Sequence, residues 1–594
     1  MKNILKYTCL AGILIFSSSC ERDLDLLPLD QLTSDVFFKQ TNDFRLFAND
    51  LYNQLPSFGR SSRDNWSDLH FTGGGNEISN STYIESDNST TWNNAYRNIR
   101  NCLVLIEKEA ELEPGNTKDE VQVFKGEAHF FLAMNYFNLL KVYGGVPLIN
   151  STLDLDDERI FGPRATREQI VDYIMENLDA AIAAPVGTLT DAADEGRLTM
   201  GAVRSFKARV ALFEGTWRKY HGLGNENEML DIAIDESRTV INSGQYSLFK
   251  NTALGDQSYF YFFILESDVQ SNPIGLGKEA QNEYILTRKH NKLDAPTGYI
   301  STNSGNLSPT LKLANMYLDN TGLPIDHPSS VFQGHGFTID PVTYIATNTE
   351  YIDRDPRMLN NMIEPFHQFW YHSPYQRDYS LTNLTGTGGW NEGYWTSATG
   401  YLNSKFLPEV EGNVGIDFPV IRLAEVMLIF AESSFERNGV ITDAELDMSI
   451  NMLRDRVEMP HLTNTFVSAN NLDMLTEIRR ERAVELVNEG FRYDDLRRWK
   501  TAETEMSEAL KGIQFANSPI STPGGYDVFS VQTNQIETVL AHINKAFPLD
   551  VNGFSIMEEA SNRNFEQKHY LWPLPLRQIA LNPALEQNPG WNSQ

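Results

Sequence analysis

Apolar positions in this chain recur at helical spacing over two long stretches, separated by one in which they do not. Residues 34–55 place Phe37, Phe38, Phe44, Phe47, Leu51 and Leu55 at intervals that mix three and four, the spacing that lines one face of a helix. The segments 92–110 and 118–143 continue the pattern, the second through Val121, Phe124, Ala128, Phe131, Met134 and Phe137. In 166–184, Ile170, Ile174, Leu178 and Ile182 recur every four residues, and Thr166 with Gln169 predicts a capping box at the start. Helices at about 199–218 and 228–242 complete the N-terminal half. Between about 250 and 415 the periodicity fades, while Gly, Asn, Ser, Thr and aromatic residues rise. Helical spacing returns at 419–438, 443–457 and 471–488, after which the chain turns Pro-rich and irregular.

Paired helices of this length, joined by turns such as YGGVP at 143–147, predict a mainly α fold. Its units would be helical hairpins of the tetratricopeptide type, although the strict repeat pattern is absent. Cys102, inside the apolar run CLVLIEK, is expected to be a small core residue. In 471–488, Leu475, Ile478, Val484 and Val487 make an apolar face, and Arg479, Arg480, Arg482, Glu481, Glu485 and Glu489 are spaced for ion pairs four apart. Asp494, Asp495, Arg497 and Arg498 extend that network, with Trp499 behind it. Trp92, Trp499, Trp572 and Trp591 are expected in the core.

The first twenty residues have a separate meaning. Lys2 and Lys6 precede an apolar run of eight residues, Cys9 to Phe16, and Ser17, Ser18, Ser19 and Cys20 close the segment. That is the layout of a signal peptide over 1–19, since spanning a bilayer core of about 30 Å takes roughly 20 apolar residues. Small residues before a cysteine point to cleavage ahead of a lipidated Cys20. Ser17 stands where such sites usually carry Leu or Val, and the alternative is an ordinary secreted protein cleaved nearby. Residues 20–33, with Glu21, Asp23 and Asp25, then form an acidic tether. No later stretch is long and apolar enough for a transmembrane helix.

Charge and cysteine content narrow the partners. The formal charge is −30, and losing the two leader lysines makes it −32. Such a surface disfavours nucleic acid and anionic lipid. After processing, Cys102 is the remaining thiol, which excludes an intramolecular disulfide framework and a cysteine-based metal site. There is no P-loop, nucleophile elbow, HExxH or EF-hand loop, and the eleven His residues show no ligand spacing. No cofactor is called for. The acidic run Asp154, Asp156, Asp157 and Glu158 has the oxygen chemistry of a calcium ligand set but reads as a solvated loop, so a structural calcium stays unassigned.

What remains is a binding site. Residues 366–401 hold ten aromatics in 36 residues, against 11% aromatic over the whole chain. Sugar rings offer apolar C–H faces that stack on such side chains, while their hydroxyls need polar partners. Trp370, Tyr371, Arg377, Trp390, Asn391, Tyr394 and Trp395 provide that mixture. A second candidate is the loop Arg63, Asp64, Asn65 and Trp66, followed by Gly73, Gly74, Gly75 and Asn76. Either group of aromatics has a structural alternative, pinning irregular loops to the helices or facing a partner.

Five segments, in order, resemble those of the SusD/RagB family of outer-membrane nutrient-binding lipoproteins. They are FKGEAHFFLAMNYFNLLKVYGGVPLI (124–149), VIRLAEVMLIFAESSFERNG (420–439), INMLRDRV (450–457), IRRERAVELVNEGFRYDDLRRWK (478–500) and YLWPLPLRQIALNPALEQNPGW (570–591). The resemblance implies a SusD-like α/α fold, with an N-terminal helical region over 34–250. A C-terminal region over 251–594 would carry a loop-rich binding insert at about 251–415. It also implies a non-catalytic protein on the outer face of an outer membrane, capturing oligosaccharide as a lid over a SusC-like TonB-dependent transporter. Two rivals remain: the same architecture with peptide cargo, and a surface glycoside hydrolase, for which no motif orients a carboxylate pair.

Overall fold

The computed structural model describes residues 37–58, 63–71, 73–154, 156–191, 194–267, 271–293, 308–339, 346–364, 368–369, 377–378, 399–408, 414–514 and 548–591. Among them the fold is mainly helical, as the periodicity predicts. Six helices of eleven residues or more occupy the N-terminal half: α1 (Thr41–Leu51), α2 (Thr90–Ala110), α3 (Gln122–Tyr143), α4 (Arg167–Ala183), α5 (Met200–His221) and α6 (Glu226–Asn242). From α2 onward each packs on the next, giving tetratricopeptide-like pairs. α3 is buried almost all round and forms the centre of this layer.

Local chemistry sets the boundaries. The capping box at α4 forms in both directions: Gln169 N–H donates to Thr166 Oγ1 at 3.2 Å, and Thr166 N–H donates to Gln169 Oε1 at 2.9 Å. α3 ends at Gly144, whose φ of 73° favours glycine. Next to it, a Cβ on Gly145 would overlap the Ala165 carbonyl oxygen. The run expected over 118–143 is divided at Val121, with a short helix Asn116–Glu120 ahead of α3.

The C-terminal helices α7 (Leu423–Asn438), α8 (Ile450–Arg456), α9 (Met474–Glu485) and α10 (Arg492–Arg498) pack back onto this layer, α7 against α6 and α5. The helix expected over 419–438 begins at Leu423 instead. Phe418–Arg422 is a strand, paired antiparallel with Tyr284–Arg288. Its β-branched Val420 and Ile421 suit a strand, and tertiary pairing overrides the helical reading of that end. One hydrophobic core runs from Phe38 through α3, α5 and α7 to Leu585. A second gathers Phe249, Tyr259, Phe262, Phe263, Phe406 and Val457 under the loop-rich region.

The ion pairs differ from those the spacing predicts. None of Arg479, Arg480, Arg482, Glu481, Glu485 and Glu489 pairs with another of the six. Glu485 instead meets Arg456 at 2.5 Å, Arg422 at 2.7 Å and Arg357 at 3.2 Å, all buried. Glu481 takes Arg357 and Arg454, and Arg482 pairs with Asp495. The carboxylates of α9 thus hold distant segments to the helix rather than stabilising it locally. Arg498 with Glu432 and Asp495 continues the network, and Trp499 Nε1 donates to Glu432 at 2.6 Å. Trp92, Trp499 and Trp591 are buried as expected, while Trp572 is half-buried. Cys102 is fully buried, and burial pushes its thiol pKa up.

Candidate functional site

Trp370, Tyr371, Trp390, Asn391, Tyr394 and Trp395 lie outside the described residues, as does Cys20. Arg377 belongs to a two-residue strand whose backbone faces Phe369. The second candidate loop is described, and it turns inward. A 3-10 turn over Arg63–Trp66 places the Asp64 carboxyl in the interior, 1% exposed, where Oδ2 accepts the Gly490 N–H at 2.7 Å. Burial raises its pKa to about 7, against the pull of that hydrogen bond. Trp66 packs its ring against Trp572 at 5.0 Å and Tyr493 at 5.6 Å. The Asn65 carbonyl accepts from Asn76 Nδ2 at 3.0 Å. In this conformation the buried Asp64 anchors the loop to the scaffold, and the half-buried Trp66 packs against Trp572 and Tyr493. Among the acidic residues at 154–158, Asp157 pairs with Arg159.

Gly490, the partner of Asp64, borders a cavity of about 880 Å³. Its walls come from segments far apart in sequence: residues 50–58 at and beyond the end of α1, the inner sides of α2, α3 and α5, residues 403–407, the strand at 418–420, Ile429 of the helix that follows it, and residues 482–498. Two kinds of side chain dominate the lining. Amides come chiefly from the helices, with Asn94, Asn98 and Asn101 on α2 and Asn135 and Asn138 on α3. Rings come from both sides, and three of them, Phe58, Phe418 and Phe491, are half-buried. Phe58 stands edge-on to Phe418 at 5.0 Å and to Phe406 at 5.3 Å. The first half of this lining is legible in the sequence as amides at i, i+4 and i+7 on one face of a helix. It carries no aromatic cluster to mark it in the sequence.

Most charged groups around the cavity are matched to one another, while Arg97 and Asp50 bond the amides of Asn94 and Asn53. Lys141 meets Asp494 at 2.7 Å, Arg209 holds Glu425 through two bonds of 2.6 Å, and Lys405 meets Glu489 at 2.7 Å. Burial lowers the Lys405 pKa to about 8, with Glu489 opposing the shift. Burial works against ionised Glu489 too, but Arg422 and Lys405 outweigh it and hold the carboxyl below its usual range. These pairs fix the wall geometry and leave the cavity with little unbalanced charge. Among the described residues no group of His, Cys, Asp and Glu is arranged to hold a metal ion.

Two family models match separate parts of the chain. One, described as the SusD family, covers residues 269–591, and the other, described as starch-binding associating with outer membrane, covers 33–212. The chain belongs to the SusD family. A SusD-like protein of Formosa agariphila is 23% identical over 591 residues, covering 96% of this chain and 95% of its own. A SusD-like protein of Bacteroides fragilis superposes with a TM-score of 0.70 at 21% identity, over 95% of this chain and 100% of that one. A SusD-like carbohydrate-binding protein from the same organism gives 0.68 at 19% identity, over 93% and 100%. A laminarin-binding SusD-like protein gives 0.51 at 19% identity, again over 93% and 100%. The SusD fold and an association with the outer membrane are therefore properties of this chain. No described helix is long and apolar enough to cross a membrane.

Proposed function

We propose that this SusD-family chain is a cell-surface glycan-binding lipoprotein. It is held by a lipid on Cys20 on the extracellular face of the outer membrane, and it delivers oligosaccharide to a SusC-like TonB-dependent transporter. The observation that carries this reading is the pair of family matches, which together span both halves of the chain and name starch binding at the outer membrane. Relatives described as carbohydrate-binding and laminarin-binding support a glycan cargo. The protein binds and passes on its ligand without chemistry of its own. Confinement of both proteins to one membrane plane raises their effective concentration without new contacts.

The primary ligand contacts are assigned to Trp370, Tyr371, Arg377, Trp390, Asn391, Tyr394 and Trp395. Their aromatic faces suit sugar C–H surfaces, and the Arg and Asn suit hydroxyls. The test is a glycan panel read by calorimetry on the full mature chain. Binding of at least one neutral or acidic oligosaccharide is expected. Binding of peptides alone would replace the cargo, and release of shorter sugars from a bound oligosaccharide would replace the non-catalytic role.

A further inference from the structure

The amide wall of the cavity is not used by the contacts assigned to 366–401. Asn is a poor residue for a helix interior, because its short amide competes for backbone hydrogen bonds. Yet α2 repeats it at Asn94, Asn98 and Asn101, all half-buried and all on the cavity, and α3 adds Asn138. Asn101 and Asn138 have no side-chain hydrogen bond among the described residues. Asn94 Oδ1 accepts from Arg97 at 2.9 Å, and Asn98 Nδ2 makes only a long bond of 3.4 Å to Asn135. Packing does not explain four amides facing one space, two of them without a side-chain bond among the described residues and a third with only a long one.

We propose that this cavity is a second ligand site, taking a neutral, hydroxyl-rich stretch of an oligosaccharide. The inference rests on the glycan reading above. An amide both donates and accepts, as a hydroxyl does, so a row of amides complements a row of hydroxyls. The half-buried rings of Phe58, Phe418 and Phe491 supply the apolar side that a pyranose C–H face requires. A volume of about 880 Å³ falls within the range of small-ligand sites, roughly 300–1,000 Å³. An anionic sugar fits poorly. The cations Lys141, Arg209 and Lys405 already hold carboxylates, so a new anion beside them would have to break one of those pairs; the exposed Arg97 at the rim is bonded to the Asn94 amide.

The test uses the full mature chain and calorimetry with maltoheptaose, laminarihexaose, xylohexaose and mannohexaose. Oligogalacturonate and a tryptic peptide pool are the contrasting probes. Trp390→Ala with Trp395→Ala removes the loop contacts and is expected to leave residual binding of a neutral oligosaccharide. Adding Asn98→Ala, Asn101→Ala and Asn138→Ala should weaken that residue of binding by tenfold or more, in line with the loss of one or more hydrogen bonds. Alanine is the better helix former, so the melting temperature should hold or rise, and lost affinity then cannot be lost fold. The inference is overturned if the Trp variant binds no glycan while the wild type does. It is equally overturned if the Asn replacements leave affinity unchanged, or if oligogalacturonate or peptides are what the Trp variant retains. A wild-type chain that binds none of the glycans would sink the glycan reading itself and this inference with it.

Discussion

Replacing Asp64 with Asn separates a scaffold role from ligand contact. The Asp64 carboxyl is 1% exposed and bonded to the Gly490 N–H, and burial lifts its pKa from 3.8 to about 7. Because the folded value is the higher one, the protonated folded state is favoured. The contribution to stability is complete below about pH 4 and is lost as the pH rises through 7. At 1.36 kcal/mol per pKa unit, a rise of about three units corresponds to about 4 kcal/mol as an upper figure. The Asp64→Asn variant keeps an oxygen for the Gly490 N–H and cannot ionise. Its stability relative to wild type should therefore swing in the variant's favour by about 2–4 kcal/mol between pH 4.5 and pH 8. Urea unfolding followed by tryptophan fluorescence measures this, with Trp66 packed against Trp572 as a local reporter. Glu127, which burial also raises to about 7, titrates in both proteins and cancels in the difference. Glycan affinity at pH 7 should stay within twofold. A stability difference that does not change with pH would refute the reasoning, and a tenfold loss of glycan affinity would return Asp64 to the ligand site.

Glu485→Gln should destabilise the chain by about 3–5 kcal/mol, because three buried guanidinium groups lose a charged partner. Urea midpoints read the change, and a loss under about 1 kcal/mol would show that the network does not hold these segments together. Burial opposes the charge on Glu485, but Arg456, Arg422 and Arg357 hold its pKa well below the usual range. Its contribution is thus present above the unfolded carboxyl pKa of about 4.3 and disappears only as the pH falls through the lower folded value, so the variant should lose this acid sensitivity. Gly145→Ala should cost about 1–3 kcal/mol, since its Cβ meets a backbone carbonyl that cannot swing away; an unchanged melting temperature would count against the turn geometry. Trp390→Ala with Trp395→Ala should lower glycan affinity by tenfold or more with the far-ultraviolet circular dichroism intact, and unchanged affinity would move the primary site elsewhere.

The helices were legible because their information is local. Thr166 and Gln169 satisfy each other three residues apart, and Ile170, Ile174 and Leu178 point one way from α4 into the core. The Arg–Glu cluster of α9 was legible as structural but not in its pairing. Spacing along one helix says nothing of Arg357, Arg422 and Arg456, which reach Glu485 from other segments. Asp64 and Trp66 illustrate the same limit. A loop sequence rich in polar and aromatic residues looks like a binding surface until Gly490 and Trp572, more than 400 residues away, occupy it. The cavity is hidden for a further reason: its lining is assembled from stretches of chain far apart in sequence, none of which carries a binding motif by itself.

The buried ion network and the cavity have one physical connection. Glu489 and Lys405 belong to both, and Arg422 and Glu485 tie them to the strand at 418–422 and to α9. The wall at 403–407 is therefore held by charge pairs that need no apolar filling, which lets an open polar space persist between packed helices. That wall is also where the chain leaves the aromatic-rich segment: Trp395 precedes Asn403 by eight residues, a reach of at most about 28 Å. Two proposed sites so closely tethered should be bridged by one glycan chain, and the second contact then forms at high effective concentration. Affinity should accordingly rise in a step once the oligosaccharide is long enough to span both, by tenfold or more over a fragment that fills one. Calorimetry across a size series of the best neutral ligand measures that step. A smooth plateau beyond the shortest bound fragment, unchanged by Asn98→Ala with Asn138→Ala, would show that the cavity and the aromatic segment do not share a ligand.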